Sequence, residues 1–291
     1  MKPNQSSTTA ENNAMLRLYE SMRPDNERIF NDPYSAFFLP DGVIDAPDRN
    51  EQIQQAIRNW ETHFPGVSNA IVARTRFIDD CLDAAIVEGI RQLVILGAGY
   101  DTRAMRCEAL KKSVTVFELD HPSTQIKKLK RIKNDLKEEL SHVRYIPIDF
   151  SKENLANKLF TCGYDDALKT LFIWEGVTYY IPESAVDRTL SFIAHHSPSR
   201  SSVIFDYFPP TVADGTTELT EARALREGLS RIGEEIVFGI SPGRINEFMQ
   251  ARGFSVIQNL TVEDYRATYF NGVNKDRIVS EMFIFVQANV S

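Results

Sequence analysis

The sequence predicts an α/β protein built on a doubly wound, mostly parallel sheet of seven strands. Short, unbroken apolar runs recur along the chain, and helical stretches separate them. The first run, Leu93–Leu96, stops at the turn Gly97-Ala98-Gly99, as expected of a strand that is buried on both faces. Strands that alternate with helices imply a parallel sheet with right-handed crossovers.

The N-terminal part is predicted to contain a polar tail followed by a helical cover. Residues 1–13 are rich in Ser, Thr and Asn, which predicts a disordered tail. Residues 14–90 have a mostly helical pattern that turn clusters interrupt, one of them at Asn31-Asp32-Pro33. We expect this segment to cover the sheet.

Residues 91–210 are predicted to form the core. Five apolar runs are expected to be its strands: Leu93–Leu96, Val114–Leu119, Val143–Ile148, Thr170–Trp174 and Ser202–Phe208. The clearest helix is predicted over Ile126–Leu140, with an apolar face formed by Ile126, Leu129, Ile132, Leu136 and Leu140. The basic residues Lys127, Lys128, Lys130, Arg131 and Lys133 are expected on its solvated face.

The C-terminal part is predicted to hold a cap and the last two strands. Residues 211–240 follow the fifth strand as a long, charged and mostly helical segment, too long for a plain connection, which predicts a cap insertion. Residues 241–291 are expected to form a helix at Ile245–Ala251 and strands at Phe254–Thr261 and Glu281–Gln287, joined by a loop. These two strands can pair with one of them antiparallel to the rest. Residues 14–291 are therefore predicted to be a single domain.

Composition excludes several classes of function. The 291 residues carry a net charge of −7, which argues against a general nucleic-acid or anionic-membrane binder. No apolar stretch approaches the roughly 20 residues needed to span a bilayer, and the N-terminus lacks the apolar core of a signal peptide. The three cysteines have no paired spacing, so we expect neither disulfides nor a metal site. A cytoplasmic location follows as the expectation.

Glycines and carboxylates mark the ends of the first two predicted strands. Gly97 and Gly99 form a turn in which a Cβ would block the close approach of a ligand to the backbone. The next strand ends in Glu118-Leu119-Asp120, and strand alternation puts both carboxylates on the same side. A carboxylate at that position can accept hydrogen bonds from the hydroxyls of an adenosine ribose. The combination predicts a nucleoside site, although a Gly-x-Gly alone is also compatible with a simple tight turn.

The turn favours S-adenosylmethionine over a dinucleotide. A dinucleotide site needs a third glycine where this chain has Thr102. Asp101 adds a negative charge where a pyrophosphate would lie. S-adenosylmethionine has no phosphate and carries a positive sulfonium, so it tolerates an acidic turn.

A third acid, Asp149, follows the third predicted strand and allows two interpretations. Its carboxylate could accept the adenine amino group, with the backbone of Phe150 at the edge of the ring. Alternatively, Asp149 or Ser151 caps the next helix ahead of Glu153. The sequence leaves the two interpretations equally open.

Four motifs together resemble the leucine carboxyl methyltransferase family, more closely its bacterial-type branch and polyketide carboxyl O-methyltransferases than its protein-modifying branch. They are the runs at 97–103 (GAGYDTR), 117–122 (FELDHP), 149–150 (DF) and 175–182 (EGVTYYIP). N-terminal segments at 23–36 and 72–79 are also similar, and the likeness extends from about residue 20 to the end. The chain departs from the family at Leu16-Arg17-Leu18-Tyr19, where an Arg-Ala pair is usual.

The resemblance implies a class I, Rossmann-like methyltransferase fold and a role for individual residues. Arg74 would hold the methionine carboxylate, although a surface arginine is its ordinary interpretation. The other implied cofactor-binding residues are Gly97 and Gly99 at the backbone, Glu118 and Asp120 at the ribose, and Asp149 and Phe150 at the adenine. Glu175 would face the cofactor amino group or the reaction centre, and Tyr180 would border the acceptor pocket, so these two are the candidate catalytic residues. Tyr179 and Tyr180 are alternatively core aromatics.

These observations predict an O-methyltransferase that acts on a small-molecule carboxylate or hydroxyl. A carboxylate acceptor is already ionised and requires no base, whereas a phenol or alcohol would need a proton acceptor such as Tyr180 or His121. The alternatives are an NAD-dependent oxidoreductase, a non-catalytic protein that binds S-adenosylmethionine, and a protein carboxyl methyltransferase. The sequence identifies neither the acceptor nor an oligomeric state.

Overall fold

An open sheet of seven strands organises the protein. The structure is a computed structural model that describes residues 8–40, 42–136, 139–150 and 152–291. The strands are β1 Gln92–Leu96, β2 Thr115–Asp120, β3 Val143–Pro147, β4 Thr170–Trp174, β5 Ser202–Tyr207, β6 Phe254–Leu260 and β7 Ile284–Val290. Their order across the sheet is β3-β2-β1-β4-β5-β7-β6.

The pairing pattern creates a crevice at the centre of the sheet. β1 pairs in parallel with both β2 and β4, and β7 pairs antiparallel with β5 and β6. The chain therefore builds outward in one direction through β2 and β3, then returns to start again at β4. The strand order reverses between β1 and β4, and open α/β sheets bind ligands at the carboxyl ends of strands beside such a reversal. The predicted mostly parallel sheet is confirmed.

Twelve α-helices are formed by the described residues. They are α1 Thr8–Ser21, α2 Arg49–His63, α3 Val67–Val87, α4 Arg103–Arg106, α5 Glu108–Ser113, α6 Pro122–Arg131, α7 Leu155–Thr161, α8 Glu183–His195, α9 Pro210–Asp214, α10 Thr220–Arg231, α11 Ile245–Gln250 and α12 Val262–Tyr269. Shorter turns of 3₁₀ helix lie at Pro33–Phe38, Thr178–Tyr180, Pro242–Arg244 and Gly272–Asn274, and a π turn at Ile132–Leu136.

The sheet separates two hydrophobic cores, because its side chains alternate between faces. Leu93 and Ile95 of β1 join a core with Phe77 of α3 on one side. Val94 and Leu96 join a second core with α8 on the other. Every residue of β1 is buried, which explains why its sequence is an unbroken apolar run.

The predicted tail is shorter than residues 1–13. Helix α1 begins at Thr8, and residues 1–7 lie outside the described residues. Ala14, Leu16 and Leu18 of this helix are buried. Packing of these residues therefore stabilises the helix, although the sequence of its first turns is polar.

The predicted apolar face of the helix after β2 is wrong at Ile126 and Leu129 and correct at Ile132, which is buried and has Leu136 and Leu140 packed nearby. Ile126 and Leu129 are exposed, whereas Lys128 is 1% exposed. The reason is that Lys128 Nζ donates to Glu118 Oε2 at 2.5 Å, and a buried carboxylate requires such a partner. The helix also ends early, at Arg131 followed by the π turn. Leu140 lies outside any helix, and residues 137–138 are outside the described residues.

The C-terminal elements differ in detail from the expectation. The cap contains two helices, α9 and α10, and then an extended segment up to Ile240. The link between β6 and β7 contains helix α12, not only a loop. Strand β7 starts three residues later than predicted and continues to Val290, because its pairing partners β5 and β6 extend that far.

Candidate functional site

A cavity of about 340 Å³ opens at the carboxyl ends of the strands, where the strand order reverses. This volume is in the range of small-molecule sites. We call it the central cavity. Its lining includes Arg17, Arg74, Gly97, Gly99, Asp120, Phe150, Glu175 and Tyr180. Six of the eight predicted cofactor-binding residues line it, and Glu118 and Asp149 do not.

The turn after β1 requires glycine. Gly97 has φ of 70° and Gly99 has φ of 46°, in the region that side chains rarely adopt. A Cβ on Gly97 would lie 2.5 Å from Cγ2 of Val177. The N–H groups of Gly97 and Ala98 both donate to the carbonyl of Leu119 at 2.9 Å, which ties the turn to the end of β2. The backbone is thereby exposed to the cavity without an intervening side chain.

The two acids at the end of β2 are separated by the structure. Asp120 lines the central cavity, and its carboxylate accepts hydrogen bonds from the backbone N–H groups of Gly99 and His121. Burial raises the pKa of Asp120. Glu118 is 1% exposed and does not line the cavity, since its Oε2 is bound to Lys128. The predicted contact of Glu118 with a ribose therefore has no support in the geometry.

Lys128 also stabilises the turn after β1. Its Nζ donates to the carbonyl of Asp101 at 2.7 Å as well as to Glu118. Burial raises the pKa of Glu118 to about 7 even though Lys128 opposes the shift. The sequence gives no sign of this pair, because Lys128 lies in a run of basic residues.

Arg74 and Glu175 belong to a buried network of ion pairs. Arg74 is 2% exposed; its Nε donates to Glu175 Oε1 at 3.1 Å and its Nη1 to Asp206 Oδ2 at 2.8 Å. Arg103 Nη1 donates to Glu175 Oε2 at 2.8 Å. Burial would raise the pKa of Glu175, but the guanidinium groups of Arg103 and Arg74 lower it to about 2. The surface interpretation of Arg74 is wrong.

Arg103 also changes the interpretation of the acidic turn. It forms an ion pair with Asp101 and donates to Asp79 Oδ1 at 2.8 Å. The carboxylate of Asp101 is thus neutralised from within the protein. The charge argument that used Asp101 to disfavour a pyrophosphate is therefore weaker than the sequence indicates, whereas the argument from Thr102 is unaffected.

Helix α1 adds residues that the sequence interpretation missed. Thr9, Asn13 and Arg17 are four residues apart, so they share one helix face, and all three line the central cavity. Arg17 Nη2 donates to the carbonyl of Tyr100 at 2.6 Å and its Nε to Asp32 Oδ2 at 2.9 Å. The spacing of four residues was the signal in the sequence that these side chains share a helix face. It was not used, because residues 1–13 were expected to be a disordered tail.

Asp149 and Phe150 have different surroundings. Phe150 lines the central cavity, whereas Asp149 accepts a hydrogen bond from Lys152 Nζ at 2.7 Å nearer the surface. Asn154 caps helix α7, because its side chain accepts from the N–H of Asn157 at 3.0 Å. The prediction of Asp149 as the helix cap is wrong, and Ser151 lies outside the described residues.

Beside the central cavity lies a second one of about 190 Å³, which we call the side chamber. The two cavities share five lining residues, the shared rim: Thr9, Asn13, Arg74, Gly176 and Tyr180. Tyr179 is a core aromatic, 4% exposed and stacked on Phe208 at 3.9 Å between ring centroids. Tyr180 instead reaches both cavities, and burial raises its pKa well above the usual value.

Two other features are absent from the described residues. No group of three or more His, Cys, Asp or Glu side chains could hold a metal ion. No helix is both long and apolar enough to cross a membrane.

Comparisons with known proteins agree with this geometry. A sequence model of the leucine carboxyl methyltransferase family matches residues 10–194. A protein of Bacillus subtilis (strain 168) named "Putative S-adenosyl-L-methionine-dependent methyltransferase YktD" is 28% identical over 306 positions, covering 99% of each chain. A relative from Mycolicibacterium gilvum (strain PYR-GCK) with the same general name is 32% identical and covers 73% of this chain and 69% of its own.

Among solved structures, a DUF574 family protein from Streptomyces avermitilis MA-4680 superimposes with a TM-score of 0.62. It is 13% identical and covers 99% of each chain, so the likeness concerns the fold. The strand order, the glycine turn and the acid at the end of β2 define a class I methyltransferase. The chain belongs to the leucine carboxyl methyltransferase family and is an S-adenosylmethionine-dependent methyltransferase. The resemblance found in the sequence is confirmed, and the nicotinamide-dependent alternative is set aside.

Proposed function

We propose that the protein methylates a carboxylate oxygen of a small molecule, with S-adenosylmethionine held in the central cavity. The observation that carries the carboxylate is that none of the five shared-rim residues offers a side chain ready to accept a proton, and that the neighbouring Glu234 already accepts a hydrogen bond from Thr9. Among the described residues of the rim, Arg74 is charged by its ion pairs, and the raised pKa of Tyr180 keeps its hydroxyl protonated. Glu175, beside the rim, has a pKa of about 2 and is a weak base. An acceptor that is already ionised fits this environment.

The residues of the central cavity fit the cofactor. Gly97 and Gly99 leave backbone surface that a Cβ would cover, and Asp120 offers a carboxylate for the ribose hydroxyls. Phe150 provides an apolar face for the adenine. Besides the ion-paired Asp101 and Glu175, three further carboxylates line the cavity, which suits a cation: Asp120, Glu234 and Glu235.

Two arginines are available for the methionine carboxylate. Arg17 Nη1 and Arg74 Nη2 make no hydrogen bond to any described residue, although the other nitrogens of both side chains do. A terminal guanidinium nitrogen donates strongly to a carboxylate. Glu175 holds Arg74 in place and presents a carboxylate to the cofactor amino group.

The cofactor supplies an electrophilic methyl group on a sulfonium: a C–O bond forms as the C–S bond breaks, sulfur keeps the electron pair, and a carboxylate releases no proton. The protein orients the acceptor at the shared rim. The cap contributes to water exclusion, since Glu234 accepts a hydrogen bond from Thr9 Oγ1 at 2.5 Å and closes α1 over the cavity.

Calorimetric titration with S-adenosylmethionine and S-adenosylhomocysteine tests the cofactor site. Micromolar binding, about −8 kcal/mol, is expected for the wild type and should be lost in Asp120→Ala. A panel of carboxylic acids, phenols and alcohols is then screened for methylated products by mass spectrometry. Methylation of acids alone would support the proposal. Methylation of phenols alone, or cofactor binding with no product from any acid, would overturn it.

A further inference from the structure

The side chamber is a largely apolar space that adjoins the central cavity at the shared rim. Among the described residues that line it, Arg74 is the one charged group, and Asp206 and Glu175 neutralise it. The remaining wall is largely aromatic and aliphatic. It includes Trp60, Phe64, Phe208, Leu225, Leu229 and Phe283. Such a wall binds an apolar body and disfavours a second charge.

The chamber has a defined size. Its volume of about 190 Å³ slightly exceeds that of a cavity of about 150 Å³ that accommodates one benzene ring. The space therefore fits about eight non-hydrogen atoms, one six-membered ring with a link of about two carbons, and a carboxylate at the shared rim brings the whole acid to about ten to twelve. A larger ring system would require the cap helix α10 to move.

The shared rim carries hydrogen-bond donors that point to a polar head group. The side-chain amide of Asn13 and the hydroxyl of Tyr180 make no hydrogen bond to any described residue. Both residues line the chamber and the central cavity. Because the pKa of Tyr180 is raised, its hydroxyl stays a donor at neutral pH. Two donors beside a cationic cofactor site suit a carboxylate.

Trp60 is part of this wall. Its ring lies against Phe64, with 4.7 Å between ring centroids, so packing holds it in place. An occupant of the chamber would lie against the Trp60 ring, which makes this residue a probe of occupancy.

We propose that the side chamber binds the apolar body of the methyl acceptor, a monocarboxylic acid of about ten to twelve non-hydrogen atoms, with its carboxylate at the shared rim. The proposal rests on the function proposed above. The oxygen of the acid gains the methyl group, and no proton acceptor is involved.

The test uses 3-phenylpropanoate as the probe and acetate as the acid that lacks a body. Gly228 lines the chamber on α10, and a Cβ there would lie 3.5 Å from Cζ of Phe64. Gly228→Leu is therefore expected to fill the chamber. Glu227→Leu is the matched control, because it places the same leucine side chain on the exposed face of the same helix. Ile232→Phe is a second plug at a lining position that is about half exposed, and it adds no tryptophan.

Two readouts separate the possible results. Binding of the probe to the complex with S-adenosylhomocysteine is followed by Trp60 fluorescence, with Trp60→Phe as the background, since the only other tryptophan is Trp174. Ester formation is followed by mass spectrometry. The wild type is expected to prefer the probe over acetate by at least tenfold in kcat/KM. Both plugs should remove that preference and keep cofactor affinity, and Glu227→Leu should behave as the wild type.

Equal use of the probe and acetate, or plugs without effect on the probe, would overturn the assignment of the chamber while the proposed function stands. No methylation of any acid would overturn the proposed function. The fluorescence titration still decides about the chamber in that case, because it requires no turnover: saturable binding that Gly228→Leu abolishes supports the chamber, and no binding refutes it.

Discussion

The central cavity is built from strand ends, whereas the side chamber is built from helix faces. Gly97 and Glu175 directly follow β1 and β4, and Asp120 ends β2, so the sheet itself sets their positions. The chamber wall comes from α1, α2, α3, α10 and the segments around β5 and β7, which span most of the chain. The first region is fixed by backbone pairing and the second by packing of the cover and cap. With this arrangement, the cofactor site can stay constant while the acceptor site varies with the packing of loops and helices.

Arg74 connects the two regions, since it lines both cavities and forms ion pairs with Glu175 and Asp206. Arg74→Met is expected to cost about 3–5 kcal/mol in unfolding free energy, because Asp206 and Glu175 lose a buried partner. Urea unfolding followed by circular dichroism measures the loss. Arg76→Met, on the same helix, is the control: its side chain is 43% exposed, and the change should cost less than about 1 kcal/mol. Equal losses in the two variants would contradict the network.

The contribution of Glu175 to the free energy of unfolding is expected to depend on pH. Its folded pKa of about 2 lies below the value of about 4.3 in an unfolded chain. The charged carboxylate therefore stabilises the fold above pH ~4.3, and this stabilisation is lost as the pH falls toward 2. Glu175→Gln should reduce the unfolding free energy by about 2–3 kcal/mol at pH 7.

The difference between wild type and Glu175→Gln should shrink as the pH is lowered from 5 to 2.5, in urea unfolding at each pH. Glu183→Gln is the control, because Glu183 is 62% exposed and pairs only at 3.4 Å. Its effect should be small at every pH. A difference for Glu175→Gln that does not change with pH would refute the assigned charge state.

The contrast between the regions also explains what the sequence could predict. The strands are identified by apolar runs, because burial on both faces makes most residues of β1, β4 and β5 apolar. Gly97, Gly99 and Asp120 were predicted because they stand at fixed offsets from those runs, and Glu175 because its motif resembles the family. Glu118 stands at such an offset too, but offset alone does not show that Lys128 draws it away from the cavity.

The other partners could not be predicted, since they depend on tertiary contacts. Arg74 meets Asp206 across 132 positions of sequence and Glu175 across 101, with no local pattern to connect them. Helical periodicity predicted a solvated position for Lys128, because it considers only where apolar residues recur. It takes no account of the partner that a buried carboxylate such as Glu118 requires. Phe64 and Gly228 meet only once the cover and the cap are packed, so the chamber is a property of the fold.

Asp149 tests the outer edge of the central cavity, where the smallest effect is expected. If its carboxylate leaves Lys152 to accept the adenine amino group, Asp149→Ala should weaken binding of S-adenosylhomocysteine by three- to tenfold, about 1 kcal/mol, with unchanged stability. Calorimetry measures the affinity, and Lys152→Ala is the control, since it removes the ion pair with Asp149 and should bind at least as tightly as the wild type. The inosine analogue, which lacks the amino group, should bind wild type and Asp149→Ala equally. Equal loss of both ligands in Asp149→Ala would instead assign Asp149 to the shape of the loop.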